Sequence, residues 1–299
     1  MDLDLLVELE PVVAANLERH LDAAKEWMPH EYVPWGEGRD FVTEPWAPDQ
    51  SRLSRVAQVA FEVNLLTEDN LPSYHFEIAS RFGRDGAWGT WVHRWTAEEG
   101  RHAACMRDYL LVTRAVDPVQ LERDRMLQMR TGYNADSKSP LEVLAYVSFQ
   151  ELATRIAHRN TGRYTDEPVA ERLLARVAAD ENLHMIFYRD LIRAALQISP
   201  NETVQAIATE ALGFEMPGTG IRDFNRRAVQ IAKAGIYDLR IHHDEVLHPL
   251  LRSWKFFELE GLNAEAEQAR ESLAEFLKGL DTMATDIEAR RSDALATSR

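Results

Sequence analysis

The chain has 299 residues, 45% of them hydrophobic and 28% charged, which is enough length and apolar content to bury a substantial globular core. Its formal charge of −15 at pH 7 argues against general nucleic-acid binding, which needs a positive surface facing phosphate. No apolar run approaches the roughly 20 residues that span a bilayer, and the single cysteine, Cys105, excludes an intramolecular disulfide.

The first element, in "MDLDLLVELEPVVAANLERH", has apolar residues at three- and four-residue spacing and predicts a helix over 4–28. Its acidic start lacks the basic region and apolar core of a secretory signal and the composition of an organelle presequence, so a cytoplasmic setting is expected. Cys105 suits that reducing setting as a small buried apolar side chain. Further helices are predicted over 50–83, 86–115, 118–132, 139–163, 167–197, 201–213, 218–250 and 262–290, separated by turns such as "GRDG", "TDEP" and "EMPGTG". "SKSP" before 139 and "SPNE" before 201 carry helix-start chemistry. No strand alternation is found. The expected architecture is a single all-α domain over 1–285, with a frayed tail over 286–299.

Two helices place a carboxylate and an imidazole three residues apart. One is "RWTAEEGRH", with Glu99 and His102; the other is "VAADENLH", with Glu181 and His184. Around the second, the stripe Leu174, Val177, Ala178, Met185, Tyr188 is apolar except for these two residues. A carboxylate on a core-facing stripe needs a compensating partner. Two more glutamates complete the pattern, because Glu68 precedes Glu99 by 31 residues and Glu151 precedes Glu181 by 30. The chain thus holds two copies of one arrangement: a helix with a lone glutamate, a turn, then a helix with Glu-x-x-His. Two such pairs form a four-helix bundle whose interior carries four carboxylates and two histidines, the donor set of ferritin-like dinuclear iron or manganese proteins.

The residues around these positions resemble the soluble acyl-carrier-protein desaturases, the plant stearoyl type and its actinobacterial relatives. The resemblance rests on "LLTEDNLPSYH", "RWTAEEGRH", "YVSFQELATRIAHRNTGR" and "VAADENLH". Weaker matches at "AKEWMPHEYVPW" and "GIYDLRIHHDEVLHPLLRSWKFFELEGLNAEAEQA" extend it over roughly residues 10 to 275. It implies a ferritin-like fold and a desaturase that uses O2 and electrons from ferredoxin or a similar donor. The substrate would be a saturated acyl chain on acyl carrier protein, receiving a cis double bond. It also implies two iron ions per chain, with manganese as an alternative metal, and a homodimer. Glu68, Glu99, His102, Glu151, Glu181 and His184 would be the ligands. Thr154 matches a hydroxyl residue beside the O2 site, and Trp27, His102 and Asp180 match an electron route and ligand support. Tyr74, Ile78, Val143, Leu144 and Phe149 are candidates for an acyl tunnel. Glu77 and Arg81 depart from the family pattern, falling where apolar or small residues are expected.

Other signals are weaker. His242, His243 and His248 in "RIHHDEVLH" are expected on a surface helix, since a spacing of five does not share a helical face. His75, His93 and His158 are expected to be structural. The arginines of "LERDRMLQMR" are candidates for docking acidic partners. Rival functions are a di-iron oxygenase acting on a carrier-bound chain, a ferritin-like iron-oxidising or storage protein, and a carrier-binding paralogue without catalysis.

Overall fold

The computed structural model describes the backbone of residues 2–135, 138–218 and 220–297, and side chains for 4–135, 138–218 and 220–291. Among the described residues there are helices and no strand. Four long helices form the frame: α2 (Arg55–Glu68), α4 (Gly86–Val112), α6 (Pro140–Tyr164) and α7 (Pro168–Ile198). They close a ring, α2 on α4, α4 on α7, α7 on α6 and α6 back on α2. Against this ring pack α1 (Asp2–Ala23), on α4 and α7, and α3 (Leu71–Phe82), on α4. α8 (Pro200–Leu212) packs on α6. α5 (Pro118–Thr131) touches α2, and α9 (Phe224–Lys233) lies on α2.

The starts of the long helices follow from sequence. Ser139 closes a capping box with Glu142, and Pro140 occupies the first turn where no N–H is needed. At α7 the Glu167 carboxylate accepts from the N–H groups of Val169 and Ala170, ahead of Pro168 in the same turn. At α8 the Ser199 hydroxyl instead donates to Glu202, and Pro200 opens the helix.

Two predicted helices are interrupted. The segment 50–83 forms α2 and α3 with a break at Asp69 and Asn70. Pro72 has no N–H for the Glu68 carbonyl four residues back, and its ring collides there, so α2 stops at Glu68. The segment 218–250 is broken at Gly235, whose φ of +70 suits a residue without Cβ. It resumes as α10 (Leu239–Ile241), a π-helical turn over His242–Leu247, and α11 (His248–Ser253). The last helix, α12 (Ala264–Thr297), packs on α8. It carries helical backbone through the stretch expected to fray; residues 298 and 299 lie outside the described residues.

Two large apolar clusters lie along the ring, with a third, small one around Val63, Leu66 and Ile221. One, holding Phe61, Leu65, Met106, Leu174 and Val177, lies on one side of the polar interior. The other, holding Trp95, Val147, Met185 and Tyr188, lies on the other side. Burying each large apolar side chain contributes about 1.5–3 kcal/mol. The polar residues between them are therefore clamped on both sides by packed helix.

Candidate metal centre

Between the two clusters the ring brings together all six expected ligands. Glu68 comes from the end of α2, Glu99 and His102 from α4, Glu151 from α6, and Glu181 and His184 from α7. Every one is at most 6% exposed. They form two overlapping groups able to hold an ion: Glu68, Glu99, His102 and Glu181, and Glu99, Glu151, Glu181 and His184. Glu99 and Glu181 belong to both groups. His102 Nδ1 lies 3.3 Å from Glu99 and 3.2 Å from Glu181. His184 Nδ1 lies 2.8 Å from Glu99 and 3.6 Å from Glu151.

The donor atoms fit metal. Glu99 Oε1, Glu151 Oε2, Glu181 Oε1 and the Nδ1 atoms of both histidines are buried without a hydrogen-bond partner. Such orphans are costly in a dry interior, and here they converge on one place. The electrostatics agree. Burial and the neighbouring Glu181 and Glu68 charges push Glu99 up to about 7. Burial and Glu181 likewise raise Glu151 well above the carboxylate range. Four carboxylates cannot all ionise here unaided, whereas two divalent cations would balance their four charges.

The outer atoms of the centre are held by protein. Glu68 Oε1 faces His158 Nε2 at 2.9 Å, and Trp95 Nε1 donates to Glu151 Oε1 at 3.1 Å. The histidines are held crosswise. His102 Nε2 faces Asp180, the residue before Glu181, at 3.4 Å; His184 Nε2 faces Glu98, the residue before Glu99, at 2.9 Å. A carboxylate at Nε2 fixes the proton there and leaves the Nδ1 lone pair for an ion. Asp180 is itself braced by Trp27 Nε1 at 2.7 Å and by Arg101 and Arg176. Burial raises it, but these donors and His102 outweigh that and hold Asp180 down at about 2. The Trp27 ring lies nearly parallel to His102, with centroids 6.4 Å apart. Glu98 receives Arg94 and, at 2.9 Å, His20 Nε2.

Trp27, Asp180 and His102 thus stand together, while sequence reasoning missed Glu98, His20 and the contact of His158. The acidic residue directly before each ligand glutamate, in "EEGRH" and "DENLH", was the available signal for Glu98. His158 lies seven residues after Glu151, on the same face of α6; it was expected to be structural, and the residue it braces is Glu68. Asp180→Asn should lower metal affinity about 10–100-fold. The amide can donate to Nε2 and move the ring proton onto Nδ1. Competition with a metallochromic chelator measures this; unchanged affinity would remove the positioning role.

A cleft leads from the centre, with Glu68, Glu99 and Thr154 in its wall. It encloses about 670 Å³ including its open parts. Thr154 Oγ1 lies 3.2 Å from Glu181 and also reaches back to the Gln150 and Glu151 carbonyls. Tyr74, Ile78 and Val143 line the cleft. Leu144 and Phe149 do not. The α6 face toward the cleft runs Val143, Tyr146, Val147, Gln150, Thr154, and Leu144 is turned about 100° from it. Leu144 and Phe149 are fully buried, Phe149 against Phe214 and Trp254.

Elsewhere, His243 and His248 meet, with Nε2 atoms 3.1 Å apart. The π-helical turn aligns residues five apart, which an α-helix would not. His75 is bonded to Thr96 at 2.7 Å. Cys105 is buried, which pushes its thiol up to about 12. Of the arginines in 121–130, Arg125 is engaged internally on Asp69 and Glu122.

The fatty acid desaturase family matches residues 1–298 of the chain. A Mycobacterium tuberculosis protein named as an acyl-[acyl-carrier-protein] desaturase, DesA1, is 49% identical over 98% of this chain and 90% of its own length. The chloroplastic stearoyl-[acyl-carrier-protein] 9-desaturase of Gossypium hirsutum is 31% identical over 91% of this chain and 73% of its own. The X-ray structure of DesA2 from Mycobacterium tuberculosis superposes with a TM-score of 0.73 at 32% identity, covering 89% of this chain and 99% of that one.

Proposed function

The chain belongs to the fatty acid desaturase family, with the ferritin-like all-helical fold of its acyl-[acyl-carrier-protein] desaturases, and from that premise we propose an O2-dependent dinuclear-iron enzyme. It introduces a cis double bond into a saturated acyl chain carried on acyl carrier protein. The observation that carries the reading is the convergence of four carboxylates and two imidazoles, with their orphaned atoms facing inward, beside a largely apolar cleft.

In this reading Glu68, Glu99, His102 and Glu181 hold one ion, and Glu99, Glu151, Glu181 and His184 the other. When bound, the ions supply the reduction of O2 and the oxidation of unactivated C–H bonds that no side chain can perform. The protein's own residues do the rest. Asp180 and Glu98 keep the ring protons on Nε2. Thr154 presents a hydroxyl between Glu181 and the cleft, able to hand a proton across that boundary. Leu71, Trp95 and Val147 exclude water and align one pair of methylenes beside the centre. Trp27 and Asp180 link His102 toward the surface, where Arg101 lies over the Trp27 ring at 4.9 Å. A ferredoxin-type donor, a homodimer, a cytoplasmic setting and a single domain over 1–285 complete the reading. No described helix is long and apolar enough to cross a membrane.

The test is turnover of the iron-loaded protein with stearoyl- and palmitoyl-carrier protein, ferredoxin, its reductase, NADPH and O2, read by mass spectrometry. The expected product has lost two hydrogens and requires both iron and O2. A product that has gained oxygen would reassign the chain as an oxygenase. Iron uptake with no acyl product would favour the non-catalytic readings.

A further inference from the structure

His243 and His248 are five residues apart, a spacing that sets two side chains about 140° apart around an α-helix. The chain does not form an α-helix there. His242–Leu247 is a π-helical turn, and the His248 N–H donates to the His243 carbonyl five residues back. The widened turn brings the two rings together, with centroids 4.4 Å and Nε2 atoms 3.1 Å apart. Such turns are rare and are frequent at functional sites. Neither histidine belongs to the carboxylate cluster or to the wall of its cleft.

The pair has the chemistry of a cation site. Asp244 Oδ1 lies 2.5 Å from His243 Nδ1. A carboxylate only accepts, so the ring proton sits on Nδ1 and leaves a lone pair at Nε2. Burial and the neighbouring His243 hold His248 below the ordinary histidine range, which keeps that ring neutral at pH 7. Two neutral imidazoles facing in this way share one proton, and an ion can take its place. Metal–nitrogen bonds of about 2.0–2.1 Å to both atoms would meet at about 95–100°, between square-planar and tetrahedral geometry. His248 is part-exposed, so water can complete the coordination and the displaced proton can move to its Nδ1. Asp244 and Asp281 favour a cation beside His248, and Arg252 opposes it. Arg240 is engaged by Asp281 and Glu288.

We propose that His243 and His248 form a site for one divalent transition ion of the zinc class, separate from the dinuclear centre, which clasps the π turn in its register. The two ligands meet only in that register, so binding and register stabilise each other. The clasp also holds what the turn carries. His242 Nδ1 meets the Tyr237 hydroxyl at 2.9 Å, and the His242 ring stacks on Phe214.

The probe is Zn2+ alone, dialysed to equilibrium against iron-loaded native protein and against H243A, H248A and D244N loaded in the same way. All four carry the same dinuclear centre, so the difference between them does not depend on the desaturase reading. Native protein should retain one more zinc per chain than H243A or H248A. D244N should bind that zinc about 10–100-fold more weakly. X-ray absorption at the zinc edge should show two imidazole nitrogens around the ion that H248A loses. Zinc should also slow amide exchange over residues 242–248 in the native chain and not in H248A. H248A removes a part-exposed side chain and serves alone if H243A does not fold. Equal zinc uptake by native protein and H248A would overturn the site, as would a zinc without imidazole nitrogens. Zinc that binds the pair without slowing exchange would overturn the clasp.

Discussion

Alanine in place of Glu181 should leave the protein unable to hold either ion, whereas alanine in place of Glu151 should leave it holding one. Glu181 belongs to both ligand groups and Glu151 to only one. Each replacement should lower metal-dependent turnover by at least about a thousandfold, since metal ions supply several kcal/mol of transition-state stabilisation and 1.36 kcal/mol is a factor of ten. The fold should persist. Both residues lie inside long helices clamped by apolar clusters on either side, and alanine is the better helix former. Elemental analysis with far-ultraviolet circular dichroism separates the outcomes. Two ions retained in the Glu181 variant would break the assignment of the shared ligand.

The second large effect is on stability. An ion held at a hundred times its Kd contributes about 2.7 kcal/mol. Two ions removed from a chain of this size should lower Tm by roughly 10–20 °C. The gap should depend on pH with a definite sign. In the metal-free protein burial and carboxylate neighbours raise Glu99 and Glu151. His102 and His184 are also raised, because the surrounding carboxylates outweigh burial. In each case the folded state holds its proton more tightly than the unfolded chain. That stabilisation is complete at low pH and is lost as pH rises through the folded values. The metal-free protein should therefore melt lower at about pH 8 than at about pH 5, and chelation should cost more at the higher pH. Asp180 has the opposite sign, but its window lies below the ordinary carboxylate range. Calorimetry of loaded and chelated protein across pH measures this; a gap that narrows as pH rises would contradict the electrostatic account.

The helical architecture was legible because apolar residues recur with helical spacing and the breaks carry glycine and proline. The six residues of the cluster were legible because an acid and an imidazole on a core-facing stripe, repeated at matched spacing, need compensating partners in a buried site. The break at Asp69 and Asn70 was missed because the apolar pattern continues in phase across it, and only the carbonyl partner lost at Pro72 marks it. Glu98 and His20 were missed because their roles depend on α1, α4 and α7 meeting in space. His158 shares a face with Glu151 but braces Glu68 on another helix, a contact no one-dimensional spacing encodes. Leu144 and Phe149 are apolar in the right helix yet face its packed side, a distinction of helical phase that composition alone does not resolve.

The ligand set repeats almost symmetrically, but its mechanical support does not. Glu151 sits near the middle of α6, so displacing its backbone means bending a helix whose hydrogen bonds run unbroken on both sides. Glu68 is the last residue of α2, followed by two non-helical residues and then by Leu71 and Pro72 at the start of α3, so its carbonyl has no N–H four residues on to bond. The centre thus has one stiff jaw and one compliant jaw. With ions held as proposed, Glu68 would be the residue free to shift with them, while Glu151 and Glu181 would keep their register against the cleft.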